Sequence, residues 1–192
     1  MDIINNFIFW WNISSFKKMR NKKIFYISLS IMVFIFFILF VSLNKNNIYS
    51  NDHVKNQKIT NFESTELFTN KEFNFNSLTL KNKYTILNIW ASWCAPCRAE
   101  HIFLLELSKS NDVDLIGLNY KDKTENAKSF VSELGNPYDL ILVDPKGLIS
   151  IEFGAVGVPE TFIIDNKSKI IKKYIGPLDK NKMKEIISIL SL

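Results

Sequence analysis

Asn88-Ile89-Trp90-Ala91-Ser92-Trp93-Cys94-Ala95-Pro96-Cys97-Arg98-Ala99-Glu100-His101 joins an apolar run to a stretch with helical spacing, and it holds both cysteines of the chain. On its upstream side, Thr85 to Ala91 reads as a buried strand; on its downstream side, Ile102, Leu104, Leu105 and Leu107 continue the apolar spacing of a helix. A helix is therefore expected from Cys94 to about Ser110. Cys94 then sits at its N-terminus, where unpaired backbone N–H groups and the positive end of the helix dipole favour an anion. The thiolate is stabilised there and its pKa falls below the ~8.5 of a free cysteine. Cys97 lies one turn further in on the same face, within reach of a disulfide and expected to be the more buried of the two. Pro96 suits the first turn, because the N–H it lacks would have no intrahelical partner there.

Other uses of a CxxC pair fit less well. A structural zinc ion needs about four ligands, and the remaining candidates are His53 and His101. Covalent haem attachment needs histidine directly after the second cysteine, where this chain has Arg98. A peroxidatic cysteine would be expected to follow proline by seven residues and threonine by three, and Leu87 and Ala91 occupy those places. A purely structural bridge closing so short a loop would constrain the unfolded chain little. The spacing suits thiol–disulfide exchange, with no metal and no cofactor expected.

Ile24 to Leu43 is free of charged residues and would be roughly 30 Å long as a helix, enough to cross a bilayer. Lys17, Lys18, Arg20, Lys22 and Lys23 precede it and Lys45 follows, so the positive-inside rule places the N-terminus in the cytoplasm. A cleaved signal peptide would have a shorter apolar core, and Val41-Ser42-Leu43-Asn44-Lys45 offers no small-x-small cleavage site. An uncleaved single-pass anchor is expected over 24–43, with a cytoplasmic tail at 1–23. Phe7-Ile8-Phe9-Trp10-Trp11 is a separate apolar patch; either translation begins at Met19, or the tryptophan pair lies in the membrane interface.

The net charge of +5 follows this division. Residues 1–23 carry five Lys/Arg and one Asp, leaving a balance of +1 for the rest of the chain. The basic balance thus reflects membrane topology, and the exported part has no basic field of the kind that nucleic-acid binding needs. Asn44 to Lys58, rich in Asn and Lys, reads as a tether. Residues 59–192 are long enough for one domain with its own core.

Within that domain, Phe73-Asn74-Phe75 and Leu78-Thr79-Leu80 are strand-like, and Val113 to Leu118 follows the cysteine helix as a strand. Thr124 to Leu134 reads as a helix ended by Gly135. Tyr138 to Val143 reads as a strand, Asp144 to Gly147 as a turn, and Leu148 to Phe153 as a short ambiguous element. Thr161 to Ile164 and Ile170 to Tyr174 form strands around the turn Asp165-Asn166-Lys167-Ser168, and Leu178 to Leu192 closes the chain as an amphipathic helix. Strands alternating with helices, then a hairpin and a terminal helix, describe an α/β fold. A CxxC between strand and helix in that setting predicts a thioredoxin-like fold, a mixed sheet flanked by helices. Trp90 is expected in the core and Trp93 on an apolar docking rim. His101 reads as a bystander, and Asp122 and Asp144 as turn residues.

The stretch quoted at the outset resembles the active site of the DsbE/CcmG thiol:disulfide interchange family of cytochrome c maturation. The resemblance extends, in order, to Gly117-Leu118-Asn119-Tyr120-Lys121-Asp122, Leu134-Gly135-Asn136-Pro137-Tyr138 and Gly154-Ala155-Val156-Gly157-Val158-Pro159-Glu160-Thr161-Phe162. It covers roughly residues 70–190. The long N-terminal extension and the Ala95-Pro96 dipeptide depart from the family pattern.

The resemblance implies roles. Cys94 would attack a substrate disulfide and Cys97 would resolve the mixed disulfide. Pro159 matches the position that is cis in thioredoxin-like folds, placing the Val158 backbone beside the cysteines to pair with an extended substrate. Glu100 and Glu160 resemble the acidic residues of the family's groove, where a carboxylate could accept a proton from Cys97 or raise thiol pKa values by repulsion. The implied substrate is apocytochrome c or a CcmH-like maturation partner, with electrons from a DsbD- or CcdA-like membrane protein and the domain facing the periplasm from the inner membrane. The competing readings are a general TlpA/ResA-like reductase, an oxidant of exported thiols, and a non-enzymatic module that holds apocytochrome.

Overall fold

The computed structural model describes residues 22–41, 59, 62–74 and 82–190. The expectations for residues 1–21, including a start at Met19 and the Phe7–Trp11 patch, fall outside these. So do the tether at 44–58 and the strand at Leu78–Leu80. Two units, Met1–Ser50 and Asn51–Leu192, divide the chain.

In the first unit, helix α1 (Lys22–Val41) has a mean hydropathy of 2.9 and is long and apolar enough to cross a membrane. Its described residues begin two before the span read from the sequence and cover that span through Val41. Apolar side chains surround it rather than forming one stripe, and Ser28 satisfies its hydroxyl inside the helix by donating to the Phe25 carbonyl at 2.9 Å. Such internal satisfaction is what hydrocarbon requires of a polar group.

The second unit is built on β3 (Tyr84–Trp90), buried at every position from Thr85 onward. Its near-continuous apolar run follows from having both faces covered. It pairs parallel with β4 (Val113–Tyr120), Ile86 opposite Leu115, and β4 pairs parallel with β5 (Leu140–Asp144). Parallel neighbours need crossovers, supplied by α2 (Ala95–Leu107) and α3 (Thr124–Leu134). On the other side of β3, β6 (Glu160–Asp165) runs antiparallel and turns back as β7 (Ile170–Ile175). A hairpin of β1 (Glu63–Glu66) and β2 (Glu72–Asn74) extends the far edge, giving the order β2-β1-β5-β4-β3-β6-β7. Short α4 (Leu148–Glu152) precedes β6, and α5 (Lys180–Leu190) ends the described chain.

Alternation along the strands makes two cores. On one face Ile86, Trp90, Leu115, Ile141 and Ile163 meet apolar residues of α2, α3 and α5; on the other, Leu87, Ile89, Leu118 and Phe162 meet Phe153, Ile59 and Phe62. This is the thioredoxin-like architecture that the order of elements predicts.

Several boundaries differ from the sequence reading. The cysteine helix begins at Ala95, with Cys94 as its N-cap, and stops at Leu107. The strand expected from Tyr138 begins at Leu140, because Tyr138 turns its ring into the core and its hydroxyl onto Asn88. The ambiguous Leu148–Phe153 segment contains the helix α4, and the final helix starts at Lys180, preceded by a buried Leu178. β1 went unread because its sequence, Glu-Ser-Thr-Glu, has no apolar alternation; Ser64 is nevertheless buried and donates to the Val143 carbonyl at 2.8 Å. Gly135 ends α3 with a positive φ of 90°, as expected of a glycine there.

Gly117 lies where β4 passes under an aromatic stack, Trp90 on Tyr138 with ring centroids 5.7 Å apart. A Cβ at Gly117 would stand 2.8 Å from the Trp90 indole nitrogen and 3.0 Å from the Tyr138 ring. Gly117→Ala should therefore destabilise the domain by about 1–3 kcal/mol through overpacking. An unchanged midpoint in chemical denaturation would show that the stack yields without cost.

Candidate active site

Both cysteines sit where β3 gives way to α2 and are joined in a disulfide, their Cα atoms 5.3 Å apart. Cys94 ends the extended segment and caps α2; the Cys97 backbone N–H donates to Cys94 Sγ at 3.1 Å. Pro96 occupies the first turn. In the reduced protein that N–H and the helix dipole would favour a thiolate on Cys94. Cys94 and Cys97 are buried alike, 4% and 2% exposed, so the expected difference between them is slight.

The turn before Cys94 is held from below. Asp122 accepts from the Ser92 backbone N–H at 2.6 Å and its hydroxyl at 2.8 Å, and also from Asn119 Nδ2 at 3.1 Å. Trp93 is 58% exposed beside the disulfide, with its indole N–H on the Lys121 carbonyl at 3.1 Å, while Trp90 is buried against Phe130 and Tyr138. Asp122 does more than form a turn: it ties the cysteine loop to the end of β4. Asp144, the last residue of β5, reaches past its turn to α4, accepting from the Ser150 N–H at 2.8 Å and hydroxyl at 2.7 Å.

Glu100, one turn after Cys97 on the same buried face of α2, is wholly buried. Asn88 Nδ2 donates to one oxygen at 2.9 Å and the Leu178 N–H to the other at 2.7 Å. Asn88 also donates to Thr161 Oγ1 at 3.1 Å and accepts from the Tyr138 hydroxyl at 2.8 Å. Burial pushes the Glu100 pKa up to about 7, although the hydrogen bonds from Leu178 and Asn88 oppose the rise. Burial, with Glu100 nearby, also raises the Tyr138 hydroxyl well above its ordinary value. His101 is buried too; its Nε2 meets the Gly135 carbonyl at 2.8 Å and its ring packs edge-on to Phe130. Burial lowers its pKa. Asn88, Tyr138 and Leu178 escaped sequence reading, although a lone asparagine inside an apolar strand is a signal of a buried polar partner.

The antiparallel register sets Ile89 against Glu160, so Pro159 and Val158 come alongside the end of β3 just before the cysteine turn. The Val158–Pro159 peptide bond is cis. Glu160 is buried: one oxygen accepts from the Val156 and Gly157 N–H groups at 2.8 and 3.1 Å, and the other pairs with Lys173 at 2.9 Å. Among the described residues no group of three or more His, Cys, Asp or Glu could hold a metal ion. The arrangement can take up and release two electrons by opening and closing one disulfide.

A profile of the family described as Redoxin matches residues 54–187. The thiol:disulfide interchange protein CycY of Rhizobium leguminosarum bv. viciae is 42% identical over 106 residues, 55% of this chain and 57% of CycY. The chain thus spans little more than half the length of that relative. The thiol:disulfide interchange protein DsbE of Vibrio cholerae serotype O1 is 32% identical over 173 residues, 88% of this chain and 93% of the relative. Among solved structures, a thiol:disulfide interchange protein of the thioredoxin family from Chlorobium tepidum superposes with a TM-score of 0.58 at 23% identity, covering 71% of this chain and 97% of that one. That likeness concerns the fold.

Proposed function

Because this chain belongs to the redoxin family, among its DsbE-type thiol:disulfide interchange proteins, we propose that it is a membrane-anchored protein-disulfide reductase serving cytochrome c maturation. The observation that carries the reading is the Cys94–Cys97 disulfide at the N-terminus of α2, with a backbone N–H on Cys94 Sγ and the Val158–Pro159 loop alongside.

In the proposed reaction the reduced protein meets a substrate disulfide. Cys94 thiolate attacks one substrate sulfur; the substrate S–S bond breaks, a mixed disulfide forms, and the departing thiolate takes a proton. Cys97 loses its proton and attacks Cys94 Sγ, releasing the second substrate thiolate and closing the protein disulfide. Two electrons pass to the substrate. Glu100, on the Cys97 face of the helix, is the supporting acid–base group. Val158 and Pro159 present backbone to an extended substrate, Glu160 supports their loop, and Trp93 forms an apolar rim.

The substrate is apocytochrome c, whose cysteines must be thiols to bond haem, or a mixed disulfide with a CcmH-like maturation partner. Electrons return through a DsbD- or CcdA-like membrane donor. Helix α1 is the single-pass anchor, and the lysines and arginine before it support a cytoplasmic N-terminus with the domain in the periplasm. Anchoring raises the effective concentration of the domain near donor and acceptor.

The test is the reduction potential of the Cys94–Cys97 couple in the full chain, read by Trp90 and Trp93 fluorescence, together with reduction of an oxidised Cys-x-x-Cys-His peptide. A potential near −270 mV, at the thioredoxin end, with peptide reduction supports the reading; one near −120 mV marks an oxidant instead.

A further inference from the structure

We propose that Lys173 is a positioning residue for substrate disulfides: its buried ion pair with Glu160 holds the Gly154–Pro159 loop in the shape that sets Val158 beside the cysteine turn. The proposal rests on the reading of that loop as the substrate-binding edge.

The sheet register explains how the two charges meet. Glu160 lies opposite Ile175 and Phe162 opposite Lys173, so Glu160 and Lys173 are diagonal neighbours on one face. That face belongs to the core of Leu87, Ile89 and Phe162, where a lysine has no ordinary place. Lys173 is 4% exposed, and its ammonium stands 5.4 Å from the centroid of the Phe162 ring. Its ammonium pairs with a Glu160 carboxylate oxygen at 2.9 Å and donates to the Gly154 carbonyl at 2.8 Å.

Glu160 completes the grip through the Val156 and Gly157 N–H groups. Lys173 and Glu160 therefore hold Gly154, Val156 and Gly157, three of the four residues preceding Val158. A buried ion pair is a poor source of stability, since apolar residues of similar size often do as well. Its selective effect is geometric: it satisfies one carbonyl and two amides of a loop whose backbone–backbone bonds, from the Gly154 and Ala155 N–H groups and to the Pro159 carbonyl, leave Val156 and Gly157 to the pair. Gly157 has no heavy atom within 4 Å of where a Cβ would stand and Val156 is 52% exposed, so the outer side of the loop is open.

The experiment compares the full-length protein with Lys173→Met, Lys173→Arg and the double variant Glu160→Gln/Lys173→Met, which removes both charges and so avoids an unpaired buried carboxylate. Amide exchange at Val156 and Gly157 is measured, then steady-state reduction of an oxidised two-cysteine peptide and of hydroxyethyl disulfide, with dithiothreitol as reductant. In Lys173→Met and in the double variant, KM for the peptide should rise about tenfold, the loss of roughly one charge-assisted hydrogen bond. In Lys173→Met exchange should quicken at both amides; turnover of the small disulfide should stay within about twofold. Lys173→Arg, which keeps charge and donors, should recover most of the peptide affinity. Unchanged peptide KM in both Met variants overturns the proposal whether or not exchange quickens. If the wild-type protein fails to reduce the peptide at all, the reductase reading fails separately.

Discussion

Cys94→Ser should end turnover of a peptide disulfide, lowering the rate by at least about a thousandfold, because a serine hydroxyl is far harder to ionise than a thiol and is a poor nucleophile toward sulfur. Cys97→Ser should behave differently. It keeps the nucleophile and loses the group that resolves the intermediate, so a covalent adduct of protein and substrate should accumulate to one per molecule. Mass spectrometry under non-reducing conditions would read that adduct, and dithiothreitol would release it. The geometry predicts this asymmetry, since Cys94 caps the helix and receives the Cys97 backbone N–H. Adduct formation through Cys97 in the Cys94→Ser variant at the rate of the reverse pair would assign the roles the other way round. Haem attachment still supported by Cys94→Ser would remove the redox mechanism and leave the holding module as the better reading.

The second large effect is on stability. Glu100 is pushed up to about 7 from an ordinary value of 4.5 by burial. In the folded protein it therefore keeps its proton over a range where the unfolded chain has released it. Stability is greatest below about pH 4.5 as far as this group is concerned, falls as the pH rises toward 7, and levels off above it. The loss over that range is on the order of 3 kcal/mol. Urea denaturation of the disulfide form, in which the thiols cannot titrate, should show this decline from pH 4.5 to 8 in the difference between the wild type and Glu100→Gln, which cancels the opposite trend from His101, whose lowered pKa adds stability as the pH rises. The variant surrenders some stability at low pH, because its amide cannot accept from both Asn88 and Leu178, yet it should gain on the wild type as pH rises. A difference curve without that slope would place the Glu100 pKa at its ordinary value and withdraw its role as proton store for Cys97.

The frame of the fold was readable because its signals are local. An apolar strand ending in Cys94, a helix with apolar spacing, a glycine closing α3 and a turn at Asp165 each announce themselves within ten or so residues. Weak points were equally physical. β1 is a four-residue strand of polar residues, and α4 is five residues long, too short for periodicity to declare itself. The site divides in the same way. Cys94 and Cys97 stand out by composition, whereas the partners of Glu100 come from positions 12 and 78 residues away in the chain. Lys173 was hidden by its neighbour: Lys172-Lys173 looks like an exposed pair, but strand alternation sends the two ammonium groups to opposite faces, one to Glu185 and one to Glu160. Glu160 follows a proline and has no local signal of burial; the register of β6 places it inside.

The antiparallel pairing of β3, β6 and β7 also determines where the molecule can grow. Asn166 and Lys167 are exposed at the tip of the β6–β7 turn, at the opposite end of β6 from Pro159. A tag, a fluorophore-bearing loop or a natural insertion placed there lengthens the hairpin away from the cysteines and should leave exchange intact. One residue added between Glu160 and Asp165 would instead invert the sides of the strand beyond it, sending core groups outward and parting the proline loop from the cysteine turn. Chain length is thus free at one end of this sheet and fixed at the other, and functional relatives should vary in length accordingly.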